Sequence, residues 1–120
     1  MTATTANALP GLERIRARFV EMLSDRQARI AQHTLDAWNG GTPEQINENL
    51  AAAQAILHQI AGSAGSIGFA ELGSTARACE AQIIEHLRDM ENGITACPGD
   101  LVFHIDSFVR NCAELISDAA

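Results

Sequence analysis

The chain has no lysine and no tyrosine, and aromatic residues make up only 4% of its 120 positions, so all eight cationic side chains are arginines. No run approaches the roughly 20 apolar residues needed to cross a bilayer, which excludes a membrane-spanning helix. Nothing resembles a P-loop or a G-x-G-x-x-G turn, and the length suits one domain with one core, with no room for an ATP-binding catalytic domain beside it. Three cysteines, an odd number without metal-type spacing, and no N-terminal apolar segment point to a reducing, cytoplasmic setting. Metal-binding helical bundles use Glu-x-x-His pairs. The residues three before His33, His58, His86 and His104 are Ile30, Ala55, Ile83 and Leu101, so no metal site is expected.

A net charge of −7 argues against nucleic-acid binding, which requires a basic footprint. The charge is uneven: five of the eight arginines precede Pro43 against four acids, whereas three arginines face eleven acids from Pro43 onward. A basic first helix suits an acidic partner surface, although Glu13, Glu21 and Asp25 are interspersed and a plain solvated face fits as well.

Hydrophobic residues reach 47%, alanine is abundant and β-branched runs are few, which favours helix. Residues 1–8 are small, polar and unpatterned and read as a disordered tail before a single domain over 9–120. Pro10 suits a first helical turn, and Leu12, Ile15, Phe19, Met22, Leu23, Ile30, Thr34, Leu35 and Trp38 continue at helical spacing, with a possible kink and recapping at Ser24 and Asp25. Asn39, Gly40 and Gly41 end this segment. Thr42, Pro43 and Gln45 form a capping box that opens a second helix, in which Ile46, Leu50, Ala53, Leu57, Ile60, Ala64 and Ile67 make a bundle seam. Beyond Gly68, a third stripe runs through Phe69, Leu72, Ala76, Cys79, Ile83, Leu87 and Met90 to Asn92 and Gly93. A fourth follows Pro98 and Asp100 through Leu101, Ile105, Phe108, Cys112 and Leu115. Cys79 and Cys112 read as small core residues, Cys97 as an incidental loop residue, and His33, His86 and His104 as core or boundary histidines. The expected architecture is all-α, an up-down-up-down antiparallel four-helix bundle.

The most unusual stretch is A-I-L-H-Q-I-A-G-S-A-G-S-I-G-F, Ala55 to Phe69. Each glycine inside a helix costs roughly 0.5–1 kcal/mol relative to alanine. His58, Gly62 and Gly65 fall on one helix face, with Ala51, Ala55 and Ala61 beside it, so the imidazole stands over a strip almost free of side chains. Such a strip admits either a partner's surface or another helix of the same protein. His58 sits one residue past Leu57, at the edge of the buried seam. A nucleophilic imidazole needs that placement: one nitrogen aimed outward and unprotonated, the other held by a hydrogen bond. Glu80 stands to Cys79 as His58 stands to Leu57, so two antiparallel helices would bring these edges together. A solvated carboxylate is the plainer reading of Glu80.

The run His58, Ile60, Gly62, Ser63, Ala64, Gly65, Ser66, Ile67 and Gly68, with Phe69, Leu72 and Glu80 beyond, resembles the histidine-containing phosphotransfer (HPt) domain family of two-component phosphorelays. The family's lysine three residues after the histidine is replaced by Ala61. The resemblance implies an HPt-like four-helix bundle in which His58 accepts a phosphoryl group from the aspartyl phosphate of a response-regulator receiver domain and passes it to another receiver. It also implies that Glu80 orients the ring, and that receivers dock over Ala55, Ala61, Gly62 and Gly65. Gln54, Gln59 and Ser63 are candidate phosphoryl contacts in place of the lysine. The implied partners are receiver domains and a hybrid histidine kinase. On this reading the protein is a stand-alone, monomeric phosphohistidine carrier with no ATP-dependent kinase activity, and Mg²⁺ comes from the receiver rather than from a bound cofactor. The alternative is an HPt-like module that docks a receiver or kinase domain without being phosphorylated.

Overall fold

The computed structural model describes residues 10–93 and 98–119. Four helices account for nearly all of them: α1 (Pro10–Trp38), α2 (Pro43–Ala64), α3 (Ala70–Glu91) and α4 (Gly99–Ala119), with a single 3-10 turn at Gly65–Ile67. They form an elongated antiparallel bundle of 56 × 22 × 18 Å, in which α2 packs between α1 and α3, and α4 closes against α1 and α3. The tail assigned to residues 1–8 and the loop cysteine Cys97 lie outside the described residues.

The apolar stripes account for the core. Leu23, Ile30, Leu50, Leu57, Ile60, Ile83, Ile105 and Cys112 are fully buried, one or more from each helix. Ile46, Ile67 and Leu115 sit partly buried at its margin. In α1 the stripe is narrower than the spacing implies: Phe19, Leu23, Ile30, Thr34 and Ala37 face inward, while Ile15, Met22, Leu35 and Trp38 are exposed. The Thr34 hydroxyl tolerates burial because it donates to Ile30 O at 2.7 Å.

The helix does not break and recap at Ser24 and Asp25: α1 is one unbroken helix of 29 residues. Leu23 and Ile30 are both fully buried, on either side of the proposed break, and a recapped turn would carry one of them out of the core. Asp25 instead faces Arg29 at 3.7 Å on the exposed surface. His33 is half-buried and its Nδ1 lies 3.0 Å from Asn49 Oδ1, tying α1 to α2. His86 is buried, but His104 is exposed on α4 with its ring edge-on to Phe103, so it is neither a core nor a boundary residue.

The start of α2 follows from Thr42–Pro43–Gln45. Gln45 N donates to Thr42 Oγ1 at 3.2 Å, and Gln45 Oε1 accepts from Gly41 N at 2.8 Å, one residue earlier than in a standard capping box. Its end sets the register of the site. Phe69 N donates to Ala64 O at 2.9 Å and Gly68 N to Gly65 O at 3.4 Å, a Schellman closure with Gly68 left-handed at φ 96°. Phe69 then stacks on Phe19 at 5.3 Å between centroids, and Arg16 Nε donates to Ile67 O at 2.9 Å, which clamps α1 over the turn. A methyl group at Gly68 would approach the Arg16 guanidinium to 2.6 Å and carry an unfavourable φ. Gly68→Ala is therefore expected to destabilise the bundle by about 1–2 kcal/mol, mostly from the left-handed backbone, read as a lower midpoint in urea.

Candidate functional site

The tight α2–α3 turn makes these helices antiparallel neighbours, so residues equidistant from Phe69 face one another. His58 and Glu80 are such a pair, eleven residues to either side. Glu80 Oε2 lies 2.8 Å from His58 Nδ1, and Gln54 Nε2 donates to the same oxygen at 2.9 Å. The His58 side chain is 74% exposed and that of Glu80 only 12%. A carboxylate has no proton to give, so Nδ1 carries the proton and the Nε2 lone pair is the ring's free acceptor. The buried end of the contact is fixed by packing and the exposed end by the hydrogen bond.

The glycines beside the ring are not filled by the protein. A Cβ built at Gly62 or at Gly65 would meet nothing within 4 Å, and both residues are exposed. Ala51 and Ala55 are exposed as well. Gly73 contrasts with them: it is buried, and its Cβ would lie 3.5 Å from Ala64 Cβ and from Gly65 N. It is the glycine that lets α3 approach α2.

Ala61 departs from the expected strip. It is 5% exposed, because the face three residues beyond His58 turns toward α3, where Arg77 covers it. Arg77 Nη2 donates to Ala61 O at 3.4 Å. Of the three polar candidates, only Gln54 joins the His58–Glu80 pair. Gln59 and Ser63 lie roughly 100° and 140° around the helix from His58, toward α1. Gln59 borders a groove with Met22, Arg26 and Arg29, and Ser63 Oγ donates to Gln59 O at 2.8 Å. Arg77 was not among the sequence candidates. Its signal is its register: it stands three before Glu80 as Ala61 stands three after His58, and an antiparallel pair places those two opposite each other.

The two cysteines among the described residues are buried. Burial pushes the Cys79 thiol up, and burial together with the neighbouring Cys79 pushes the Cys112 thiol up to about 12. Both therefore stay protonated near neutrality and are poor nucleophiles.

The fold and site together define a small helical bundle with one exposed imidazole beside an open strip, its Nδ1 held by a carboxylate of the next helix. The Hpt domain family model matches residues 14–119, and the chain belongs to that family. Comparison with curated proteins and with solved structures found no match. Family membership implies phosphotransfer in phosphorelay signalling and interaction with receiver and kinase domains. Among the described residues no helix is long and apolar enough to cross a membrane.

Removing the Glu80 carboxylate frees the ring to rotate and lets either nitrogen carry the proton. On the phosphoacceptor reading of His58 proposed below, Glu80→Ala is expected to slow phosphoryl acceptance roughly tenfold to a hundredfold, the scale of losing the hydrogen-bonding partner of a metal-ligating histidine. Stopped-flow transfer from a phosphorylated receiver measures it.

Proposed function

We propose that this chain is a phosphorelay intermediate whose phosphoacceptor is His58. The observation that carries this reading is the pairing of a 74% exposed imidazole with a carboxylate on its Nδ1, beside two exposed glycines at which an added Cβ would meet nothing within 4 Å.

In the proposed reaction a receiver carrying an aspartyl phosphate docks over Ala55, Gly62 and Gly65. The His58 Nε2 lone pair attacks phosphorus. The bond between phosphorus and the aspartyl oxygen breaks, and its electron pair leaves with the receiver's carboxylate. The ring, still protonated at Nδ1, then carries positive charge, which the Glu80 carboxylate behind it stabilises. Attack by the aspartate of a second receiver reverses these changes and frees the Nε2 lone pair. Phosphoryl transfer depends mainly on positioning and charge neutralisation, and the receiver's Mg²⁺ serves the second of these.

The α1 side supports docking. Ile15 and Met22 are 53% and 42% exposed, and they line a groove with Arg14, Arg18 and Arg26 that reaches Ser63 and Ser66 of the α2 end. An apolar centre with a cationic margin complements an acidic receiver face.

The test is incubation with a phosphorylated receiver and Mg²⁺, followed by mapping of acid-labile phosphate. Transfer to His58, abolished by His58→Gln, is expected. Ala61 in place of the family's lysine favours the second reading, a docking module, and receiver binding without any phosphate uptake would establish that reading instead.

A further inference from the structure

We infer that Arg77 on α3 is the phosphoryl-binding cation of this site, supplied from across the helix interface. The inference rests on the reading of His58 as phosphoacceptor. The second helix offers no positive charge near the ring, because position 61 is alanine and the chain has no lysine. The structure places a guanidinium over that same position: Arg77 Nη2 reaches Ala61 O at 3.4 Å. His58, Ala61 and Gly62 of α2 and Arg77, Glu80 and Ala81 of α3 line one cleft. Small residues on both walls leave space between the arginine and the ring.

Arg77 is also available. It is exposed, and among the described residues it forms no ion pair, whereas Arg29 and Arg110 each face an acid one turn away on their own helix. Its one hydrogen bond, to Ala61 O, is long at 3.4 Å. Exchanging that weak contact for charge-assisted bonds to phosphoryl oxygens is favourable. The planar guanidinium offers two parallel N–H donors, which match two oxygens of a phosphoryl group on Nε2.

Alanine at 61 is part of the same arrangement. A long side chain there would occupy the ground that the Arg77 guanidinium covers. One cation is provided, from α3 rather than from α2.

The experiment compares the wild type, Arg77→Ala, Arg77→Lys and the double variant Arg77→Ala/Ala61→Lys. Two donors are used: a phosphorylated receiver with Mg²⁺, and phosphoramidate, which needs no protein partner. Arg77→Ala is expected to slow transfer from saturating receiver about tenfold or more and to shorten the phosphohistidine lifetime several-fold, with an unchanged thermal midpoint. Arg77→Lys and the double variant are expected to recover part of both losses, since each restores a cation beside the ring.

Arg77→Ala matching the wild type in rate and lifetime overturns the proposal, as does an effect confined to receiver affinity or a double variant that recovers nothing. A wild type phosphorylated by phosphoramidate but not by any receiver removes the relay reading, yet the lifetimes still decide the role of Arg77. Phosphorylation of His58 by neither donor overturns both.

Discussion

Gly62→Trp is expected to lower phosphoryl acceptance from a receiver by about a hundredfold or more, because transfer tolerates little displacement of the reacting atoms and an indole beside His58 holds the partner away by several ångströms. The bundle itself is expected to remain folded. Gly62 is exposed, and a Cβ there meets nothing within 4 Å. The control is Gly62→Ala, which removes a helical glycine without filling the strip and is expected to stabilise the protein by roughly 0.5–1 kcal/mol. Together these variants separate two reasons for a glycine. One kept for close helix packing loses stability on gaining a methyl group, while one kept for access loses only transfer. Urea denaturation and transfer kinetics on the same preparations distinguish them.

The largest loss of stability is expected at Phe108. Its ring is 2% exposed and lies on α4, within the apolar core shared by all four helices. Phe108→Ala removes most of a buried aromatic side chain and leaves a cavity, at a cost of about 3–5 kcal/mol. That is a large share of the roughly 5–15 kcal/mol that stabilises a typical domain. Phe103, one and a half turns earlier on the same helix, is 64% exposed, and Phe103→Ala is expected to change stability by no more than about 0.5 kcal/mol. Urea midpoints for the two variants test whether α4 faces the core as described. A comparable loss from both would place Phe103 in a packed interface as well.

Helical periodicity made the four helices legible, because each buries one stripe and the stripe repeats at the helical period. The α2 start was legible from Thr42, Pro43 and Gln45, since capping chemistry is local. His58 was legible as an edge residue from its offset to Leu57, and Glu80 from the same offset to Cys79. What sequence could not weigh was competition between local and tertiary preferences. Ser24 and Asp25 have the chemistry of a helix cap, but burial of Leu23 and Ile30 on one continuous helix outweighs it. Leu35 and Trp38 continue the apolar spacing of α1, yet both are more than half exposed, lining a groove beside Val102 and Phe103 of α4 rather than entering the core. His104 borders an apolar stripe and nonetheless faces outward.

Arg77 illustrates a different limit. Its place beside Ala61 depends on the exact closure of the α2–α3 turn at Gly68, and a shift of one residue there would rotate it away from the His58 side. Helix wheels drawn separately carry no information about such register. The same closure decides Glu80, whose edge position was visible in sequence while its 2.8 Å contact depended on the turn.

The most direct test of the account is the position of the phosphoryl group on the ring, because the geometry commits Nδ1 to Glu80 and leaves Nε2 for chemistry. Phosphorus NMR of the chain after transfer from a phosphorylated receiver is expected to show a single Nε2-phosphohistidine resonance that disappears in His58→Gln. A resonance from the Nδ1 isomer, or phosphate on any residue other than His58, would contradict it.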